Sequence, residues 1–347
     1  IGYADDESEL VFQRNEANPL EADTVIIDEM SMVDMLLMYH LLKAIPPGAR
    51  LVLVGDADQL PSVGPGSVLH DIISCSGIKT VRLTEIFRQA EESLIIVNAH
   101  RINRGEAPIL NAKDKDFFFL SRSGQENILR TVIDLCVRRL PDTYGLDPMK
   151  DIQVLSPTKK GPAGVVNLNI ELQKVLNPQD GKKAEKVSRV YTLREGDRVM
   201  QIKNNYSLRW EKPGNSGIDG TGVFNGDMGT VAEIDDEEMK VIVLFDDDRL
   251  VVYDYSILDE LEPSFAVTVH KSQGSEFPVV VMPIFPGPEV LMTRNLLYTA
   301  VTRAKEMVVL VGEEDVLLGM VGNKRETLRY SGLADKLKTF SEYADII

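Results

Sequence analysis

Cysteine is almost absent from this chain: Cys75 and Cys136 are the only two in 347 residues. Two thiols so far apart, neither in metal-ligand spacing, exclude a disulfide scaffold and point to a reducing, cytoplasmic setting. Both read as small buried apolar residues. Histidine is scarce too, and His40, His70, His100 and His270 form no local ligand cluster, which argues against a zinc site. No apolar run reaches membrane-spanning length and the first residues do not read as a signal peptide, so no membrane partner is expected. Positive charge is in deficit, with 38 Lys and Arg against 54 Asp and Glu and a net charge of −16. That balance argues against broad coating of duplex DNA, whose phosphates need clustered cations. The charge is uneven, however. Acid gathers at Asp5, Asp6, Glu7 and Glu9, in Asp235-Asp236-Glu237-Glu238 and in Asp246-Asp247-Asp248, whereas Lys159-Lys160 and Lys182-Lys183 are positive. A narrow single-strand channel is compatible with that pattern.

With 44% hydrophobic residues the chain is globular, and its length allows two or three domains. It begins at Ile1 rather than Met, which points to a fragment or to a processed or trimmed product. From Thr24 to Leu155, strand-like and helix-like segments alternate. Strands are expected at Thr24–Ile27, Arg50–Val54, Lys79–Leu83, Phe117–Leu120 and Ile152–Leu155. Helices are expected at Val33–Ala44, Ser67–Ser74, Ser93–Asn103 and Glu126–Arg139. Such alternation predicts βαβ units around a parallel sheet. From about Arg189 to Asp254, short β-rich runs separated by Gly, Asn and Asp turns read as a small antiparallel barrel or sheet. Beyond Phe265, strand and helix alternate again over Val279–Pro283, Arg294–Arg303 and Met307–Val311. A second α/β domain interrupted by the β insert is expected.

The run Val25-Ile26-Ile27-Asp28-Glu29 ends a buried strand on two adjacent carboxylates. Ligands sit at the carboxyl edge of open α/β sheets. One carboxylate there can hold Mg²⁺ on a nucleotide phosphate and the next can polarise the attacking water. The other reading is a strand followed by a solvated acidic turn. Leu51–Gly66 repeats the pattern, with Gln59 able to bond a terminal phosphate or its attacking water in a Gly- and Pro-rich loop. Arg88, in Leu83-Thr84-Glu85-Ile86-Phe87-Arg88-Gln89, can clamp a γ-phosphate or stand as a solvated charge. Arg303, at the end of the helix Asn295–Arg303, is a candidate arginine finger, a group worth roughly 10³–10⁵ in rate. The alternative, complementing a helix C-terminus, contributes about 0.3–1 kcal/mol. Tyr206, Trp210 and Tyr253 in the β insert are either core packing or stacking partners for bases.

Taken in order, these segments resemble the motifs of superfamily 1 helicases. In detail they resemble the RecD-like group of 5′→3′ DNA helicases, the exonuclease V alpha subunit type. Asp28-Glu29 matches the Walker B motif, Gly55-Asp56-x-Asp58-Gln59-Leu60-Pro61 the next and Phe87-Arg88-Gln89 the fourth. Val269-His270-Lys271-Ser272-Gln273-Gly274-Ser275-Glu276 matches the fifth, and Tyr298–Ala304 the sixth. Ser156-Pro157-Thr158-Lys159-Lys160-Gly161 resembles the segment opening the group's second motor domain.

The resemblance implies an α/β fold of two RecA-like P-loop NTPase motor lobes, the first incomplete. The first would occupy 1–150 and the second 151–188 with 256–347, with a small antiparallel β-barrel at 189–255. It implies ATP with Mg²⁺, movement on single-stranded DNA and work with recombination or repair proteins. Asp28 would be the Mg²⁺-associated carboxylate, Glu29 the general base and Gln59 the γ-phosphate sensor. Arg88 and Arg303 would contact the γ-phosphate, and Gly274 and Glu276 would lie on the nucleotide side. Thr158, His270 and Ser272 would touch the backbone of the single strand, which positions DNA without reading sequence.

One departure stands out: no G-x-x-x-x-G-K-[ST] occurs in the 347 residues. That loop supplies the phosphate cradle, its Lys and a Mg²⁺-binding hydroxyl. The expectation is therefore the C-terminal part of a longer helicase, inactive alone, whose upstream part of the same polypeptide carries the P-loop. The alternative is a non-catalytic helicase-like subunit or scaffold of a recombination nuclease complex. The chain shows no carboxylate cluster of its own for cleavage.

Overall fold

The computed structural model describes residues 2–4, 7–75, 77–83, 92–112, 115–188, 190–214, 217–324 and 332–344. They divide into two compact units, 1–90 with 324–347, and 91–323.

In the first unit, β1 (Gly2–Ala4) and β2 (Glu7–Val11) form an antiparallel pair. β3 (Thr24–Ile27) and β4 (Arg50–Leu53) pair in parallel from Thr24↔Arg50 to Ile27↔Leu53. The crossover between them is α1 (Met35–Ala44), started by Asp34, whose carboxylate accepts the Leu37 N–H at 2.8 Å. With α2 (Val68–Ile73), these elements bury Met30, Val33, Met38, Val68 and Leu69 as one core. Lys79–Leu83, expected as a strand, is irregular. It pairs with nothing, and Val81 and Leu83 are 76% and 95% exposed.

The second unit opens with α3 (Leu94–Arg104) and β5 (Phe117–Ser121). Asp116, just before β5, caps α3 by accepting the Leu94 N–H at 2.7 Å and the Ser93 hydroxyl at 2.5 Å. α4 (Gln125–Asp134) continues through a π-turn at Leu135–Arg139 into α5 (Leu140–Tyr144). β6 (Ile152–Ser156) and α6 (Val165–Leu176) follow. A hairpin of β7 (Glu185–Val187) and β8 (Thr192–Arg194) leads to β9 (Arg198–Gln201), β10 (Asn205–Glu211) and β11 (Asp219–Val223). The antiparallel run continues with β12 (Met228–Asp235), β13 (Lys240–Phe245), β14 (Leu250–Asp254) and β15 (Leu261–Pro263). The chain returns through β16 (Ala266–Thr268), β17 (Phe277–Ile284), α7 (Arg294–Val301), β18 (Ala304–Gly312) and α8 (Glu314–Gly322). The last helix, α9 (Leu333–Ala344), belongs to the first unit.

Five strands form a parallel sheet in the order β16-β6-β17-β18-β5. Seven form the antiparallel insert in the order β11-β10-β14-β13-β12-β9-β15. The first is the doubly covered parallel sheet that the apolar strands predict. Both faces carry buried side chains, among them Val154, Leu155, Val279, Val280, Val309 and Leu310. The insert has its own core of Val199, Val231, Val243, Phe245, Val251 and Tyr253.

Two boundaries differ from the expected ones. The first lobe was expected to reach residue 150, but β5 pairs along its whole length with β18 and its capping Asp116 holds α3 beside it. The elements from 91 onward therefore belong to the second unit's sheet. The insert, expected at 189–255, extends to β15, which pairs with β9.

A buried polar cluster fastens the insert to α6. Asp197 is fully buried at the start of the insert. Its carboxylate accepts from Asn177 Nδ2 (2.7 Å), Gln173 Nε2 (2.5 Å) and the Arg194 N–H (2.8 Å). Burial pushes its pKa from 3.8 up to about 6, against the pull of these donors. The folded state therefore takes up a proton between pH 6 and 4 that the unfolded chain does not. This group favours folding more as pH falls through 6, opposite to a paired surface carboxylate.

Asp197→Ala leaves three buried donors unmatched and is expected to cost about 3 kcal/mol or more in urea unfolding. From the two pKa values, the wild type's advantage should widen by about 1 kcal/mol between pH 7.5 and pH 5. A constant advantage would contradict the buried, proton-accepting carboxylate.

Candidate nucleotide-site and strand-binding residues

In the first unit, parallel pairing of β3 and β4 brings Asp28, Glu29 and Gln59 to neighbouring strand ends. Asp28 is exposed and accepts the Glu29 N–H at 2.7 Å. Glu29 is half-buried and sits in the left-handed region at φ 52°, ψ 40°. For a residue with a Cβ that conformation costs roughly 1–2 kcal/mol. Its neighbours hold it there. Met30 is completely buried and its N–H donates to Val54 O at 3.0 Å, while Val54 N–H donates to Ile27 O at 2.8 Å. Gly55 makes room for this turn, because a Cβ there would lie 2.9 Å from Met30 N. The pinned backbone turns two successive carboxylates off the end of one strand.

Gln59 is buried, and its Nε2 donates to Asp56 Oδ2 at 3.3 Å. It lines a small hollow with Ser31, Ser62, Ser67 and His70. The Ser31 hydroxyl there is buried without a hydrogen-bond partner. No periodicity or motif in the sequence marked Ser31 or His70. Arg88 lies outside the described residues.

In the second unit, sheet register separates the candidates into two groups. β6 places Ser156 level with Thr268 of β16, and the Val281↔Val154 pair places both level with Pro283 of β17. Phe277, opposite Ala304, lies six residues lower on the same strand. At about 3.3 Å per residue the two levels are about 20 Å apart. Thr158 and His270 follow the strand ends at the carboxyl edge. Gly274, Glu276 and Arg303 precede β17 and β18 at the amino edge.

Arg303 was expected at the end of a helix, but α7 stops at Val301 and Arg303 lies in the turn before β18. It is 5% exposed. One guanidinium nitrogen donates to Ser275 O at 3.2 Å, and its own carbonyl accepts the Phe277 N–H at 2.8 Å. Its Nε is buried with no partner. Gly274 takes φ 76° in the adjoining turn. Glu276 pairs with Lys305 at 3.1 Å, with both side chains more than half exposed. That pair is worth at most about 1 kcal/mol.

At the carboxyl edge, the Thr158 hydroxyl donates to Lys160 O at 2.9 Å, and its carbonyl accepts the Val165 N–H at 3.0 Å. His270 reaches the surface, yet desolvation by the surrounding protein lowers its pKa, so it is neutral at pH 7. Ser272, expected on the nucleic-acid strand, is completely buried, and its hydroxyl donates to Val269 O at 2.9 Å. It packs the segment between the two edges and offers nothing to a ligand. Tyr253 is completely buried, donating to Gln201 Oε1 at 2.8 Å, and is core. Trp210 packs on the insert's core, whereas Tyr206 meets exposed Phe224 edge-on at 5.5 Å. Cys136 is buried, and its thiol is pushed up to about 12, as befits an inert packing residue.

The left-handed strain at Glu29 is testable without catalysis. Glu29→Gly is expected to match or exceed the wild type's thermal stability, by up to about 1 kcal/mol, because glycine tolerates the backbone. Glu29→Ala, which keeps the strain, is expected to gain nothing. A gain from alanine equal to that from glycine would show that the carboxylate, not the backbone, carries the cost.

Three family models match along the chain. They are an AAA domain over residues 6–119, an ATP-dependent RecD-like DNA helicase SH3 domain over 168–245 and a UvrD-like helicase C-terminal domain over 263–311. An ATP-dependent RecD2 DNA helicase of Deinococcus radiodurans is 33% identical, aligned over 94% of this chain and 41% of its own length. The RecBCD enzyme subunit RecD of Mycolicibacterium smegmatis is 30% identical, over 94% of this chain and 56% of its own length. The chain thus spans about half the length of these relatives. A crystal structure of the Pif1 helicase from Bacteroides, in complex with ADP-AlF3 and ssDNA, shares the fold. Its TM-score is 0.50 at 19% identity, covering 93% of this chain and 76% of that one. The three domain matches in this order, with relatives aligned along nearly the whole chain, place it in the RecD-like group of superfamily 1 helicases.

Proposed function

We propose that this chain forms most of the motor of an ATP-dependent DNA helicase. It would move 5′→3′ on single-stranded DNA in recombination or repair, in the cytoplasm. The observation that carries the reading is the delivery of Asp28, Glu29 and Gln59 to adjacent parallel strand ends, with Glu29 held in a strained backbone. Strain of that kind persists where the surroundings over-determine it, and such positions cluster at functional sites.

The residues present suit Mg²⁺-ATP in part. Asp28 is an exposed carboxylate suited to a hard cation. Among the described residues no group of three or more metal-binding side chains gathers, so Mg²⁺ would enter on the nucleotide phosphates. Arg303 has a buried, unpartnered Nε that an anion's oxygens would complete. Gly274 and Glu276 stand at the same edge of the sheet. When bound, the nucleotide supplies the phosphoanhydride bond whose hydrolysis drives movement. Glu29 is the base that orients and deprotonates water, Gln59 senses the terminal phosphate, and Arg303 and Arg88 meet its charge. The phosphate cradle is not among these 347 residues. Thr158 and His270 would meet the DNA backbone, His270 as a neutral hydrogen-bonding group.

A second reading, a non-catalytic helicase-like subunit of a recombination nuclease complex, is favoured by the lack of a P-loop in these residues. Retention of the hydrolytic set weighs against it.

Joined to a polypeptide that carries a P-loop, the chain is expected to show ATPase activity stimulated by single-stranded DNA. Arg303→Ala should reduce turnover by roughly 10³-fold or more while nucleotide binding persists. Full-rate hydrolysis by that variant would remove Arg303 from the mechanism. Absence of DNA-stimulated turnover in the joined protein would favour the non-catalytic subunit.

A further inference from the structure

Cations in this acidic protein are commonly neutralised on the spot. Arg198 pairs with Asp246, Arg249 with Asp227 and Asp247, Lys203 with Asp259 and Lys271 with Glu262. Lys159 and Lys160 are different. Both are exposed, and neither side chain makes an ion pair or hydrogen bond. Their loop is rigid. The carbonyls of Thr158 and Lys159 accept the Val165 and Val166 N–H groups and close the start of α6. Gly161 takes φ 100°, and a Cβ on Gly164 would meet Lys160 O at 2.4 Å. Because the helix amides are already satisfied, an anion held here is held by the lysine side chains.

Lys159 stands on the rim of a depression of about 310 Å³, counted out to its open mouth. The floor is apolar, made by Val165, Val166, Met200, Pro263, Ala266 and Val267. Tyr191 forms part of the wall, half-buried, its hydroxyl without a protein partner. Thr268 and the mutually neutralised Lys271–Glu262 pair complete the rim. An uncompensated cation pair beside an apolar hollow with one aromatic wall matches one nucleotide of a single strand, its phosphate on the cations and its base against the ring.

We propose that this depression, between α6 and the insert, is a nucleotide subsite for single-stranded DNA. Lys159 and Lys160 hold a backbone phosphate and Tyr191 stacks on the base. The proposal rests on the helicase reading and adds residues and a pocket to it. Tyr191 is where the insert reaches the strand, which gives the β insert a direct part in DNA binding.

The test is fluorescence anisotropy of the 347-residue chain with labelled oligo(dT) over a range of salt. Loss of two phosphate contacts in Lys159→Ala/Lys160→Ala should flatten the salt slope by about 1.4. Tyr191→Ala should weaken binding roughly 5- to 150-fold, while Tyr191→Phe, which keeps the stacking face, should bind as the wild type does. Lys182→Ala, another exposed lysine without a side-chain partner, serves as the control and should change nothing. Oligo(dT) bearing 5-iodouracil should photocrosslink to Tyr191, read by peptide mass spectrometry. Wild-type binding that the lysine and tyrosine variants leave unchanged, with no crosslink at Tyr191, would overturn the subsite and leave the helicase reading intact. Displacement of oligo(dT) by an equal concentration of poly-glutamate would show a general anion patch and also overturn it. No oligo(dT) binding by the wild-type chain would overturn subsite and helicase reading together.

Discussion

Parallel pairing is the constraint on which the second unit depends. Every strand of the β16-β6-β17-β18-β5 sheet runs the same way, so every connection must travel from its carboxyl edge back to its amino edge. Residues that leave a strand and residues about to enter one are therefore sorted to opposite edges without any long-range instruction. Thr158 and His270 fall on one edge and Arg303 on the other for this reason alone. The same rule, acting on β3 and β4 in the first unit, sets Asp28 and Gln59 beside each other. The apolar strand runs supply the energy of burial, and the direction of the chain supplies the sorting.

The insert is attached by a different kind of force. Asp197 sits where a carboxylate is costly, and Asn177 and Gln173 of the α6 region reach across to satisfy it. Removing any one of these groups strands the others. The seven-stranded insert is thereby fixed to the helix whose first turn carries the Thr158–Gly164 loop. Local pairing of most surface cations with acids has a related effect, since it leaves Lys159 and Lys160 conspicuous in a field that is otherwise self-cancelling.

Much of this was legible in the residues. Thr24–Ile27 and Lys240–Phe245 form as read, because alternation and apolar runs report burial directly. The adjacency of Asp28 and Gln59 followed from two similar strand endings. Other features were not legible, for identifiable reasons. The run Phe117–Leu120 announces a buried strand but not which sheet buries it, and Asp116's capping of α3 is a contact across 22 residues. Ser272 carries a hydroxyl in a motif of contact residues, and only the packing of Val269 around it shows that the hydroxyl points inward. Gly55 and Met30 gave no separate signal, because the left-handed turn they enforce is a property of the backbone. Asp197 looked like one acid among 54 Asp and Glu.

The passage from β16 to β17 has a mechanical corollary. Its residues 269–276 must descend about 20 Å by the strand spacing. Four of them, Val269–Ser272, are coiled in a 3₁₀ turn that advances only about 2 Å per residue. The remaining four can add at most about 14 Å, so the segment is drawn nearly straight, like a tie-rod with no slack. A tug on the imidazole at its upper end reaches the glycine turn against Ser275 and Arg303 at its foot almost undiminished.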